Sequence, residues 1–477
     1  MTDHLKQRHG KINDFSDLRR RIEFFNDKAH LKTGVEMEFH IQDLKRPNDT
    51  PSFATDERVL PLKEALRSKN IDVDDEIAAH MIEIKTEAYG LSALPDLIDR
   101  VKEVRKTLVE EAAKLDLRPS PFAVLADLDV KNALKNLIKP TAAQPERGSR
   151  PRAMMHTLQN LELAHLMPYP LLNSSVQAST GMNDPDHMFK TARRHYYLLP
   201  FYFVALNSRP PQFNKMTGEK SDTHSGIEMR RLLKDRGLIP DAFYKATDGE
   251  SFLAHYFSDV FDRPMLCHAD LQDQFHMATS YPGESIKSLR GQDMNTYSNF
   301  NLSESFDWFS GKRKIIPDTN LTRFESRDID SGLHNDVSFT IISSLMTMDE
   351  ECGCDIDNLL AAYGYSAIPA HSQAMLERDL STVQHNARAY MDVPYGTGRM
   401  DEFAKDFYRT IEPHAHKHGV SRHLAALDLI CNFAVPDAKM IDRICKTQQD
   451  VVNLQKSVST EQQARGVSFG MLYDMGL

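Results

Sequence analysis

The segment Gly34-Val-Glu-Met-Glu-Phe-His40 constrains the fold more than any other stretch of the chain. Side chains alternate across a strand with period two. Val35, Met37 and Phe39 therefore share one face, and Glu36, Glu38 and His40 share the other. The two carboxylates stand about 6 to 7 Å apart along the strand, and such a row repels itself unless cations neutralise it. Hard oxygen ligands of this kind suit magnesium or manganese rather than zinc. A solvent-facing strand with ordinary charges would carry the same pattern, so this segment alone leaves both readings open.

Three more segments alternate in the same way. In Met81-Ile-Glu-Ile-Lys-Thr-Glu87, Ile82 and Ile84 face one side while Glu83, Lys85 and Glu87 face the other, and Glu76 precedes them across a turn. In Leu321 to Asp330, Arg323, Glu325 and Arg327 share a face. That row is either a closed ion-pair ladder or the equipment of a site that holds both a metal and an anion. Ser174 to Thr180 places Gln177 and Ser179 together on one face.

Around these strands the chain reads as mixed α+β. The pattern predicts an amphipathic helix over 12–30, strands at 34–42, 81–86 and 173–180, a loop over 45–56 and a helix over 91–115. Asp184 and Pro185 mark a helix start, and Pro200 is expected to kink the helix that follows. Residues 139–152 read as a basic loop of the kind that covers phosphates, or as a solvated linker. Strand-like segments alternate with loops over 262–340. From 341 onward the chain reads as helical, with breaks near Gly364, Pro369, Pro394, Pro413 and Pro436. The expected division is a catalytic domain over 1–340 and a mainly helical region over 341–477 packed on it.

Composition narrows the function classes. A formal net charge of −10 argues against a nucleic-acid partner, which requires a clustered basic surface. The 5 cysteines include no Cys-x-x-Cys pair, so neither a disulfide framework nor a structural zinc site is expected, in keeping with a reducing cytoplasm. The N-terminus lacks an apolar signal core. The apolar run Tyr196–Leu206 is broken by Pro200 and falls well short of the roughly 20 residues that span a bilayer. A soluble, cytoplasmic protein without membrane partners is the expectation, and self-association stays open.

Taken in order, the flagged segments resemble the glutamate–cysteine ligase superfamily, especially its plant and proteobacterial type. Gly34-Val-Glu-Met-Glu38 is similar to its Gly-x-Glu-x-Glu strand, and Met81-Ile-Glu-Ile84 to its Gln-Val-Glu-Leu strand. Val176-Gln-Ala-Ser179 with the later Asn207-Ser-Arg-Pro210 resembles Val-Gln-Val-Asn and Asn-Ser-Pro. Phe324-Glu-Ser-Arg-Asp-Ile-Asp330 resembles Leu-Glu-Met-Arg-Gly-Ala-Asp. Looser matches are Asp262 to Leu266 and Gly148-Ser-Arg150 leading to Met154. The resemblance spans residues 30–340. It implies a glutamine-synthetase-like curved antiparallel sheet with flanking helices, and ATP-dependent joining of a carboxylate to an amine through an acyl phosphate. Small-molecule amino acids or amines and ATP would be the partners. Glu36, Glu38, Glu76, Glu83 and Glu325 would hold magnesium, with manganese as an alternative. Arg327, Arg323 and Gln177 would act at the reacting groups, and Ser179, Arg150 and Arg193 would contact the nucleotide.

The sequence also departs from the family. Ala178-Ser179 stands where the family has Val-Asn, Met81 replaces its glutamine, and an Arg-Ser…Trp segment is not recognisable over 221–237. These departures fall on the substrate side, so glutamate and cysteine are the family default, and an unusual amino acid or a peptide is an alternative. A catalytically silent nucleotide- or amino-acid-binding relative and a phosphotransferase are the competing classes. Elsewhere, His414, His416 and His418 read as a surface run, because alternate residues of a helix do not share a face. Cys352-Gly-Cys354 reads as incidental, Arg193-Arg194 as a solvated first turn and the aromatics over 196–203 as helix core.

Overall fold

Alternation along Thr33–Asp43 (β1) makes it the central strand of a seven-stranded antiparallel sheet in the computed structural model. The structure describes residues 10–45, 53–76, 78–124, 173–208, 211–213, 220–221, 237–270, 275–277, 284–293, 295–305, 308–315, 319–385 and 391–465. The other strands are Asp72–Asp75 (β2), Met81–Lys85 (β3), Leu117–Pro119 (β4), Ser175–Gly181 (β5), Gly311–Ile315 (β6) and Thr322–Asp330 (β7). Their order is β6-β7-β5-β1-β3-β2, and β4 pairs with the far end of β1.

The register aligns the polar rows. Glu36 lies opposite Lys85 and Gln177, and Glu38 opposite Glu83. Glu325 lies between Ser179 and Lys312 on its two neighbours. The pleat therefore gathers these side chains onto one face. It turns Val35, Met37, Ile82, Ile84, Val176 and Ala178 to the other, where all are buried. A bulge between Ser326 and Ile329 re-aims β7 beside Arg327.

Helices cover the apolar face. Leu94–Lys114 (α2) buries Leu97, Ile98, Val101, Val104 and Leu108, a stripe at helical spacing. Each such side chain contributes about 1.5 to 3 kcal/mol through burial. Asn335–Met348 (α6) packs against β5, β1 and α2. The buried Arg105–Asp336 pair joins α2 to α6, with Nε 2.6 Å from Oδ2. Pro185–Ala205 (α3) starts as predicted, with Asp184 accepting from the His187 amide and Pro185 in the first turn. Pro200 lies inside this helix and does not end it. Gly249–Asp262 (α4) approaches α3 so closely that a Cβ on Gly249 would sit 2.2 Å from the Pro185 backbone. Tyr197, Phe201 and Tyr202 are core, as expected.

The C-terminal part is helical: Glu350–Ala362 (α7), Gln373–His385 (α8), Met400–Lys417 (α9) and Ala425–Phe433 (α10) lead to Asp437–Ile444, Gln448–Ser457 and Thr460–Arg465. Leu376, Phe403, Phe407 and Ile430 belong to the same continuous core as Val35 and Ile82. Arg118 of β4 donates to the Lys456 carbonyl, which ties the last helices back to the sheet.

Several expectations are corrected. Residues 12–30 do not form one helix: only Phe15–Arg19 and a turn at Lys28–His30 are helical. Their backbone is drawn into bonds with distant segments, Ile12 to Asn295 and Glu23 to Asn320 and Thr322. The Asp14 and Asp27 side chains also compete with helix by capping local amides. Asp56–Arg67 (α1) and β2 were not foreseen. Tyr297–Ser305 (α5) is a helix where strands and loops were expected. Pro413 lies inside α9 rather than at a break. Residues 139–152 lie outside the described residues.

Candidate active site

The polar face of the sheet has two halves of opposite character. Glu38 of β1, Glu83 of β3 and Glu76, just past the end of β2, each bring one carboxylate oxygen within 4.8 Å of the others. Glu38 and Glu83 are buried, and the register sets them opposite each other. Burial and then the Glu83 charge push the Glu38 carboxyl up to about 7. Burial, then Glu76 and Glu36, push Glu83 well above the usual carboxylate range, with Lys85 opposing from 3.0 Å. Lys85 is itself held charged above its usual range: burial opposes this, but Glu83, Asp74 and Glu36 outweigh it.

Glu38 is held in place by strand β5. Its Oε2 accepts from the Ser175 amide at 2.8 Å and hydroxyl at 2.9 Å, and its Oε1 accepts from Gln177 Nε2 at 2.8 Å. Beyond Glu38, His40 stacks on His80 with ring centroids 5.3 Å apart. Burial, then His40, hold His80 well below its usual pKa, so this end of the face is lined by a neutral imidazole.

The other half, on β6 and β7, is cationic. Glu325 is fully buried, and burial would raise its carboxyl. The charges of Lys314, Arg327 and Lys312 overcome that and hold it well below the usual range. Lys314 pairs with Glu325 and also reaches Glu36 at 3.6 Å. Arg327 Nε is 3.4 Å from Glu325, Arg323 is 3.8 Å from Glu36, and the Ser179 hydroxyl donates to Glu325 at 3.2 Å. The field of Arg327 also lowers the Glu38 carboxyl, so it acts across the seam between the halves.

Of the residues flagged from sequence, Glu36, Glu38, Glu76, Glu83, Gln177, Ser179, Arg323, Glu325 and Arg327 therefore come together on one face. Arg193 does not join them through any contact described: it lies on α3, 2.9 Å from Asp357 of α7 and bonded to the Ala367 carbonyl. Its helix phase, fixed by the apolar stripe of α3, directs it to the C-terminal helices. Arg150 lies outside the described residues. Sequence reasoning missed Lys312, Lys314 and Ser175. The only signal for the lysines is period two in Gly311-Lys-Arg-Lys-Ile315, which is hidden because the residue between them, Arg313, is charged as well.

A carboxylate cluster of this kind can neutralise a hard divalent cation, and the adjoining cations can receive phosphate or carboxylate oxygens. Among the described residues, no helix is long and apolar enough to cross a membrane. Compared by sequence, the chain matches no family model and no curated protein. Among solved structures, it is similar to a bifunctional glutathione synthetase from Pasteurella multocida, with a TM-score of 0.44 and 10% identity over 92% of this chain and 51% of that one. The chain thus spans about half the length of that protein.

Proposed function

We propose that this protein is a magnesium-dependent ligase that uses ATP to join a carboxylate to an amine, in the manner of the glutamate–cysteine ligases. The observation that carries this reading is the pairing, on one sheet face, of a self-repelling carboxylate cluster with a cationic row. Burial, and after it the charge of neighbouring carboxylates, pushes both the Glu38 and the Glu83 carboxyl upward, a balance that a bound cation would reverse. Glu38, Glu76 and Glu83 would therefore hold magnesium, or manganese, which when bound polarises phosphate oxygens and neutralises their charge. Glu36 and Glu325 would hold a second ion only if Lys314, which bridges them now, moved aside.

Arg327, Arg323 and Lys314 supply preorganised positive charge beside the cluster. Their part is to hold the transferred phosphoryl group and the substrate carboxylate in line and to stabilise the charge that develops between them. Gln177 and Ser175 fix the Glu38 carboxylate, and Ser179 fixes Glu325. The γ-phosphoryl group passes from ATP to a substrate carboxylate oxygen, releasing ADP. An amine then attacks the acyl carbon, an amide forms and phosphate leaves. No protein nucleophile is needed. The ordered strand motifs support glutamate as the carboxylate and cysteine or another amino acid or amine as the acceptor. They also support reading the sheet as the curved sheet of a glutamine-synthetase-like domain over 1–340, with 341–477 packed on it, in a cytoplasmic protein.

The test is ADP release with magnesium and ATP against a panel of amino acids and amines, with mass spectrometry of the products. An amide product formed only when both substrates are present is expected. If no substrate pair stimulates ADP release, the ligase reading is overturned. A phosphorylated acceptor accumulating without amide would make the protein a phosphotransferase instead.

A further inference from the structure

Glu36 and Glu325 are the two acids of the polar face that stand apart from the carboxylate cluster. Among the described residues, Glu38, Glu76 and Glu83 gather within 4.8 Å, whereas no third acid, histidine or cysteine joins Glu36 and Glu325 in such a group. The two belong to β1 and β7, which β5 separates. Neighbouring strands lie about 4.8 Å apart, so these two backbones stand about 10 Å apart. Their carboxylates nevertheless meet at one cation. Lys314 Nζ pairs with Glu325 and lies 3.6 Å from Glu36 Oε2, where an ion bridging the two acids would sit.

The charges around this point already belong to the protein. Lys312 lies directly across from Glu325 in the β6–β7 ladder, and Lys314, two residues on, shares its face. Arg327 Nε is 3.4 Å from Glu325, and Arg323 Nη2 is 3.8 Å from Glu36. Lys85 stands across from Glu36 on β3. A divalent ion lodged between the two acids would have to displace Lys314 and then meet the field of Lys312, Arg323 and Arg327. Glu325 is fully buried, so its charge needs a partner whether or not a metal is bound. A tethered ammonium meets that need, and an exchangeable ion does not.

We infer that Lys314 is a built-in substitute for a second metal ion: the chain holds one divalent cation, at Glu38, Glu76 and Glu83, and the Lys314 ammonium, clamped by Glu36 and Glu325, is the second positive centre of the phosphoryl-transfer site. The inference rests on the ligase reading above. It departs from the family resemblance, which would make Glu36 and Glu325 magnesium ligands. The ammonium has three donors, enough to serve Glu325, Glu36 and one oxygen of the transferred phosphoryl group. It carries one charge where a metal ion carries two, and Arg323 and Arg327 beside it make up the difference.

The test is manganese titration of the full chain, stripped with a chelator and without nucleotide, followed by spin resonance. Wild type is expected to bind one equivalent, which Glu83→Gln weakens at least tenfold and Glu36→Gln changes by less than threefold. Lys314→Met, which empties the place between the two glutamates, is expected to gain a second equivalent. Adding Glu36→Gln to Lys314→Met should remove that equivalent again, and Lys314→Arg, which keeps the charge, should stay at one. A merely structural ion pair predicts no second equivalent in any of these variants. Two equivalents in wild type, one of them lost in Glu36→Gln, would overturn the inference and leave the ligase reading standing. So would a folded Lys314→Met that binds only one. If Lys314→Met does not fold, the wild-type and Glu36→Gln titrations decide alone. No manganese binding in wild type would overturn both the inference and the metal-dependent ligase reading.

Discussion

Glu38 and Glu325 are the same residue type, buried on the same face of one sheet, and their surroundings drive them in opposite directions. Glu38 faces Glu83, and burial and that charge push its carboxyl up to about 7. Glu325 is just as deeply buried, yet Lys314, Arg327 and Lys312 hold its carboxyl well below the ordinary range. Burial alone therefore decides neither case. The neighbouring strand separates them, because β3 sets Glu83 across from Glu38 and β6 sets Lys312 across from Glu325. In the first half Lys85 does not offset burial and the clustered carboxylates, and in the second Lys314, Arg327 and Lys312 outweigh burial.

The strongest way to break this comparison is to neutralise one carboxylate in each half. Glu83→Gln is expected to lower magnesium-dependent turnover on the order of a thousandfold and to weaken manganese binding at least tenfold. Its thermal stability without metal should hold or rise, since a like-charge contact disappears. Glu325→Gln should behave in the opposite sense. It leaves buried cations without their counter-charge and should cost about 3 kcal/mol or more of stability. Manganese affinity at the Glu38 cluster should stay within threefold of wild type. Manganese titration followed by spin resonance, alongside thermal melts, measures both effects. A large loss of manganese affinity at that cluster in Glu325→Gln would show that the two halves are one metal site.

The same contrast predicts a pH dependence of opposite sign for the two groups. The folded-state pKa of Glu38 is raised from 4.5 to about 7, so the folded protein holds the extra proton. Its stabilising contribution is complete below about 4.5 and is lost as pH rises through about 7, a change on the order of 3 kcal/mol. Glu83 shifts in the same direction. Glu325 is depressed, so its contribution is present above its unfolded value of 4.5 and is lost only as pH falls below that. Chelator-treated protein should therefore melt at a lower temperature at neutral pH than at mildly acidic pH, and Glu38→Gln should flatten that slope. Magnesium should raise the neutral-pH melting temperature in wild type and fail to do so in Glu83→Gln. A wild-type slope that survives Glu38→Gln would mean other groups dominate.

How much of this was legible in the sequence depended on whether the signal was local. Gly34 to His40 and Met81 to Lys85 announce their faces, because apolar and charged residues alternate in period two over a few positions. The bringing together of Glu36, Glu38, Glu83, Gln177 and Glu325 follows once those strands are paired. Lys314 was invisible because its neighbour Arg313 is charged as well. Arg313 is buried on the opposite face, paired with Glu304 at 2.9 Å and lying over the rings of Phe257 and Phe300. No local rule places an arginine there, since the partner that neutralises it comes from helix α5. The helix expected over 12–30 failed for the same reason, because carbonyls of distant segments, at Asn295, Asn320 and Met182, claim its amides. The expected surface run holds only for His416: His414 and His418, four apart at the end of α9, share the face turned to Asp349.

The smallest expected effect concerns Arg193, which sequence reading assigned to the nucleotide and the structure assigns to a helix contact. Its guanidinium is 2.9 Å from Asp357 and 3.2 Å from the Ala367 carbonyl, and the neighbouring Arg194 shares the same aspartate at 2.7 Å. With Arg194 still holding Asp357, Arg193→Ala should cost about 1 kcal/mol or less. Melts of Arg193→Ala, of Asp357→Asn and of the double variant would measure the coupling directly. Turnover and the KM for ATP should stay within twofold of wild type. The comparison sharpens if Arg327→Ala, measured in parallel, loses turnover by orders of magnitude while melting near wild type. Arg193→Ala raising the KM for ATP tenfold at unchanged stability would instead return this arginine to the nucleotide site, and would mean that α3 contributes to it.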